Sequence, residues 1–189
     1  MNSTELNPQK QLDLIEQTIT KTKENLSRHS YDFLFWGWLT SLTALINFFG
    51  LNFTPIAEKS YLIWAITPLL GGIFIVFRYS KTIAQQKTHL EYFLQHPWMV
   101  IGGVFILFTL SIFFINIISP WTFFPVIAGI GALVSGFTLR FAYLNFGGML
   151  LICFPFVSLF VNNEWNMLLY AIVIFFAFVL PGYALKRAH

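Results

Sequence analysis

The sequence predicts an all-α membrane protein: a bundle of six transmembrane helices preceded by an amphipathic helix in the cytoplasm. Apolar side chains make up 57% of the 189 residues and charged side chains only 10%, against about a quarter charged in soluble domains. No Asp, Glu, Lys or Arg occurs in the stretches 33–57, 60–77, 92–139 and 141–163. These stretches also lack the alternating polarity of membrane β-strands, which leaves helices.

Residues 1–30 form the predicted cytoplasmic segment. Asn7 and Pro8 fit an N-cap and a first helical position, and the helix is expected to reach about Arg28. Its apolar positions follow spacings of three and four residues, which place them on one face. We call this face the apolar stripe, and it consists of Leu12, Ile15, Ile19 and Leu26. Such a stripe is typical of a coiled coil, a membrane-surface helix or a docking site for another protein.

The membrane domain is predicted to cover residues 31–185. A span needs roughly 20 apolar residues, and six segments meet this requirement. Because the connections between them are short, neighbouring spans should be antiparallel, which favours three helical hairpins side by side. The expected spans are 31–51, 60–78, 98–118, 121–139, 142–161 and 165–185.

The loop 79–97 and the tail 186–189 complete the predicted cytoplasmic side. The loop is itself amphipathic and is expected to end as a helix at Pro97. It could pack against the N-terminal helix, or both segments could lie on the headgroups, or the N-terminal helix could recruit a partner or a second copy of the chain.

The orientation follows from the basic residues. Ten of the eleven lie in segments on one side of the predicted bundle, and only Lys59 lies on the other. Because cytoplasmic loops carry the excess of Lys and Arg, both ends of the chain are predicted to be cytoplasmic. Membrane ends explain these scattered charges better than nucleic acid, so no nucleic-acid partner is expected.

Small residues recur every four positions in the fourth predicted span, at Ala128, Ala132 and Gly136. Such a stripe predicts close contact with another helix, of this chain or of a second copy. Prolines inside four of the spans are expected to kink them; they are Pro68, Pro125, Pro155 and Pro181.

Candidate chemistry is sparse. No charge lies deep in a predicted span, and Asp32 sits in a first turn, where the helix dipole favours a carboxylate. One polar cluster on the cytoplasmic side could in principle bind a metal or act as acid and base; it comprises His29, Asp32, His89 and Glu91. These residues lack metal-ligand or catalytic spacing. We therefore expect no catalytic, metal-binding or cofactor-binding residues, and no cofactor.

The layout resembles a group of small uncharacterised bacterial membrane proteins. The resemblance rests on Asn25-Leu26 shortly before the segment 33–39, which contains Trp36-Gly37-Trp38, and on the terminal segment 180–186. It implies a multi-pass protein of the bacterial cytoplasmic (inner) membrane and no particular activity.

Three functions stay open. The first is a non-enzymatic accessory, regulatory or scaffold protein that acts through its cytoplasmic helices. The second is a transporter or channel for a small neutral or lipidic solute, which is suggested by uncharged polar residues within the spans. The third is a membrane enzyme that acts at the inner headgroup level through the polar cluster.

Overall fold

The computed structural model describes residues 8–55, 57–82, 89–114 and 120–187, and within these ranges the chain is all-helical, without strands. The all-α prediction is therefore confirmed. In chain order the helices are α1 (Pro8–Phe53), a 3₁₀ helix (Ala57–Ala65), α2 (Ile66–Thr82), α3 (His89–Phe114), α4 (Pro120–Leu139), α5 (Ala142–Ser158), α6 (Asn163–Ile174), a π-helical segment (Phe175–Val179) and α7 (Leu180–Arg187).

Helix α1 is unbroken over 46 residues, about 69 Å at 1.5 Å per residue. It joins the predicted cytoplasmic helix and the first predicted span, which the sequence had separated near residues 29–30. No proline follows Pro8 before Thr54, so nothing in this stretch blocks the backbone hydrogen bonds. The segment predicted to be cytoplasmic is thus a direct extension of a helix in the bundle.

The second predicted span begins differently from expectation. Residues 57–65 form a 3₁₀ helix, and the α-helix starts only at Ile66. Proline has no N–H, so Pro68 cannot donate the α-helical hydrogen bond to the carbonyl of Trp64. Pro68 is accommodated in the first turn of α2, where that donor is not needed.

The expectation that Pro97 ends a helix is wrong. Pro97 lies inside α3, which continues from His89 to Phe114. A proline removes one backbone hydrogen bond, and packing against neighbouring helices can compensate for this loss. In α3 the residue after Pro97 is Trp98, whose ring packs against α1 and the π-helical segment. Because α2 also extends to Thr82, only residues 83–88 of the predicted loop 79–97 lie outside the described helices.

Residues 163–187 form one helical rod with a π-helical segment in the middle. This segment ends immediately before Leu180-Pro181. Because Pro181 cannot donate to the carbonyl of Ala177, the wider turn absorbs the missing bond, as π-bulges do. Phe178 and Val179 in this segment are buried against Gly37 of α1.

Helix α1 packs along α6, the π-helical segment and α7, and α5 packs on their other side. Helices α4 and α5 form the most extensive pair, α3 leans on α4, and α2 contacts α1 and the 3₁₀ helix. The turn between α4 and α5 is made by Arg140, whose φ of 52° is left-handed, with the N–H of Phe141 donating to the carbonyl of Gly136 at 2.9 Å.

Among the described residues, two helices are long and apolar enough to cross a membrane, His29–Phe53 and Trp165–Arg187. This is a test of length and composition alone, which buried core helices also pass. Shorter apolar helices cover Leu62–Arg78, Leu94–Leu107, Phe123–Leu139 and Ala142–Ser158.

Candidate functional site where α1 meets α2

A charged cluster joins α1 to the end of α2. The guanidinium of Arg78 makes two contacts with the carboxylate of Asp32, Nε to Oδ1 at 2.7 Å and Nη2 to Oδ2 at 3.0 Å. His29, one turn earlier on α1, places Nδ1 3.6 Å from Asp32 Oδ2. Two parallel contacts fix the relative orientation of both side chains, so this pair sets the register between α1 and α2.

Aromatic rings next to the ion pair extend the contact between α1 and α2. The ring of Phe35 stacks on that of Phe74 with centroids 3.8 Å apart, and the Arg78 guanidinium lies 5.8 Å from the Phe74 centroid. The indole of Trp36 lies against Gly71, where a Cβ would collide with it. A side chain at position 71 would therefore force the Trp36 ring to move from the surface of α2.

Uncharged polar side chains extend this interface along α1. The hydroxyl of Thr67 donates to that of Thr43 at 3.4 Å, and Ser60 Oγ donates to Asn47 Oδ1 at 3.4 Å. On the neighbouring face of α1, Ser41 Oγ donates to the carbonyl of Ala171 at 3.0 Å. Each of these polar side chains has a hydrogen-bond partner on another helix, so together they hold the helices of the bundle against one another.

A second, aromatic contact is made by Phe33, the residue after Asp32 on α1. Phe33 is stacked on Phe178 with centroids 6.1 Å apart and meets Trp98 edge-on at 6.3 Å. The indole N–H of Trp98 donates to the buried hydroxyl of Ser135 on α4 at 2.9 Å. These contacts hold α1, α3, α4 and the π-helical segment together. They involve the part of α1 that the Asp32–Arg78 ion pair holds against α2.

The structure brings together part of the predicted polar cluster. His29 and Asp32 are in contact, whereas the side chains of His89 and Glu91 lie outside the described residues. Arg78 was missed as the partner of Asp32, because the two are far apart in sequence and only the hairpin brings them together. In the described part of the chain, no group of three His, Cys, Asp or Glu residues has a geometry that could hold a metal ion.

The small-residue stripe on α4 faces another helix of the same chain. A Cβ on Gly136 would collide with the side chain of Asn145 on α5, and Ala128 and Ala132 are buried. Beside them, Gly129 faces Gly148 of α5, and a Cβ on either glycine would lie 2.8 Å from the carbonyl oxygen of the other. These glycines allow the two backbones to approach closely.

No family model, no curated protein and no solved structure matches this chain. Its function is therefore inferred from geometry. Both carboxylate oxygens of Asp32 are engaged by Arg78, which suits a structural joint better than a general base. The imidazole Nε2 of His29 is buried and has no hydrogen-bond partner among the described residues.

The apolar stripe lies outside the residues whose side chains the structure describes, but its backbone is part of α1. At about 100° per residue, positions 12, 15, 19 and 26 fall within about 40° of Gly37 around the helix circumference. Gly37 is the residue of α1 against which Phe178 and Val179 pack. The stripe therefore continues the side of α1 that faces the bundle.

Proposed function

We propose that this chain is a six-span protein of the bacterial cytoplasmic membrane, with both ends in the cytoplasm. Its exposed side chains support this, because large apolar residues cover the outside of the bundle. Leu159 and Phe160 are 80% and 90% exposed, and Phe137 and Phe146 are exposed although each is adjacent in sequence to a buried glycine. Polar Ser41, Thr43, Asn47 and Ser135 are buried instead, a distribution that lipid favours and water does not.

Helix lengths agree with this placement. Helix α3 has 26 residues and α4 has 20, which correspond to about 39 Å and 30 Å. Helices α2 and α5 have 17 residues each, at the short end of the range that crosses a bilayer. Slight thinning of the bilayer or snorkelling of Arg78 and Arg140 accommodates such spans.

We propose further that the chain is a non-enzymatic accessory or scaffold protein that binds a protein partner through the apolar stripe. The observation that carries this proposal is the continuity of α1. Residues 8–28 extend about 30 Å beyond His29, the first residue of the candidate membrane span, at 1.5 Å per residue. A partner held on this extension would be in rigid connection with the bundle through the Asp32–Arg78 pair and the Phe33–Trp98 contact.

The direction of the stripe favours a different protein over a second copy of this chain. In a parallel coiled coil the two α1 helices would approach to 8–10 Å along their stripes. On that side of α1 each copy already carries its own π-helical segment and α7, so two bundles would overlap. The partner would instead place a helix beneath the bundle, against positions 12, 15, 19 and 26.

Affinity purification in mild detergent tests the proposal. Adding two negative charges to the stripe with Ile15→Glu and Ile19→Glu should remove the copurifying partner. Gln17→Glu and Thr20→Glu add the same charge on other faces of the helix and should retain it. The proposal fails if no protein copurifies with the unmodified chain, or if both double variants behave alike.

A further inference from the structure

A basic site lies where α7 ends beside α1. Lys186 and Arg187 form the last turn of α7, and both are exposed. The ammonium group of Lys186 lies 5.1 Å from the ring centroid of Tyr31 on α1, a cation–π distance. Lys186 is thereby held against α1 rather than extended into solvent.

No carboxylate neutralises these two cations in the described part of the chain. The nearest acid in sequence to Tyr31 is Asp32, but Arg78 of α2 engages both of its oxygens. Lys186 and Arg187 consequently retain two positive charges beside an exposed apolar surface, which is the charge complement of an anionic headgroup.

A row of aromatic side chains leads from this basic site along the bundle; it consists of Tyr31, Trp38 and Phe175. Trp38 lies two turns after Tyr31 on the same face of α1, about 10 Å along the axis, and is partly exposed. Its ring meets Phe175 edge-on with centroids 5.5 Å apart. Beneath this row, Gly182 of α7 packs on Leu34 of α1, where a Cβ would lie 2.9 Å from Leu34 Cγ. Helices α1 and α7 are therefore in close contact behind the aromatic side chains.

We propose that this site binds an anionic phospholipid. Lys186 and Arg187 hold the headgroup phosphate, and the upper part of an acyl chain lies along Tyr31, Trp38 and Phe175. The inference rests on the membrane placement proposed above but not on the protein partner of the apolar stripe. Tryptophan and tyrosine beside lysine at a helix end are the side chains that favour the headgroup level.

Native mass spectrometry of the purified full chain tests the site. The chain is titrated with phosphatidylglycerol or with phosphatidylcholine of the same acyl chains, and it should retain the anionic lipid preferentially. Each cation is expected to contribute about a fivefold gain in affinity. The double variant Lys186→Gln, Arg187→Gln should therefore lose on the order of 30-fold for phosphatidylglycerol and little for phosphatidylcholine.

Two controls separate headgroup recognition from misfolding. The charge-preserving variant Lys186→Arg, Arg187→Lys should retain the preference. Arg140→Gln removes an exposed cation at the end of α4 and should leave it unchanged. Equal retention of both lipids by the unmodified chain, or unchanged phosphatidylglycerol affinity in the double glutamine variant, would overturn the proposal. Either result would leave copurification through the apolar stripe unaffected, so the two proposals fail independently.

Discussion

Replacing Gly148 by alanine should destabilise the bundle although it adds only one methyl group. The new Cβ would lie 2.8 Å from the carbonyl oxygen of Gly129, 2.8 Å from Leu133 Cγ and 2.9 Å from Leu133 N. Two of these three atoms belong to the backbone of α4 and cannot rotate away. The helices must separate by several tenths of an ångström along their most extensive contact, and overpacking of this kind costs about 1–3 kcal/mol.

Gly103→Ala is the matched control, because a Cβ on Gly103 of α3 meets nothing within 4 Å. Alanine is the better helix former by up to about 1 kcal/mol, so this variant should be neutral or slightly more stable. The free energy of unfolding would be measured for both variants by denaturant titration in mild detergent. A difference of about 2 kcal/mol corresponds to roughly a 30-fold change in the unfolded-to-folded ratio.

The double variant Gly129→Ala, Gly148→Ala sharpens this test. Both substitutions push the same two backbones apart, so the second should cost less than it does alone. Equal stability of the Gly148 and Gly103 variants would refute the close packing of α4 against α5.

Two further contacts and one backbone conformation give predictions that the same unfolding measurement can check. The Asp32–Arg78 pair is partly exposed but makes two contacts, so a double-mutant cycle with Asp32→Asn and Arg78→Gln should give a coupling of about 0.5–1 kcal/mol; a coupling near zero would argue against the two-contact geometry. Trp98→Phe leaves the buried Ser135 hydroxyl without its donor and should cost about 1–3 kcal/mol, most of which Ser135→Ala in the same chain should restore; no rescue would contradict this hydrogen bond. Arg140→Gly should stabilise the chain by about 1 kcal/mol, because only glycine adopts a left-handed φ without steric cost; loss of stability would show that the Arg140 side chain contributes to the fold.

Helix content, the bounds of α4 and the start of α5 could be predicted from the sequence, because charge-free apolar runs and the polar turn at Arg140 mark them directly. Helix α5 ends at Ser158, three residues before the predicted end. Proline positions were less informative. Pro68 moved the start of an α-helix, Pro97 left its helix intact, and Pro181 coincides with a π-helical segment. Which of these occurs depends on what packs around the freed carbonyl, and sequence spacing does not contain that information.

The candidate site could be predicted only in part. The prediction that Asp32 lies in a first helical turn is wrong, because Asp32 is in the middle of the unbroken α1. Its contact with His29 follows from their i,i+3 spacing. The partner Arg78 depends on how the hairpin of α1 and α2 closes, which short-range patterns do not specify. The unbroken α1 was also missed, because a polar segment followed by an apolar one suggests two separate helices. Neither glycine nor proline lies between the two segments, which favours a single helix.

Cysteine accessibility tests the central claim, the six-span topology, most directly. In a Cys153→Ala background, single cysteines at Gln9, Thr54, Arg140 and Asn162 would be treated in intact cells with a thiol reagent that cannot cross the membrane. The proposed topology predicts labelling at positions 54 and 162 and protection at positions 9 and 140 until the cells are permeabilised. Labelling of position 9 or 140 in intact cells, or protection of position 54 or 162, would contradict it.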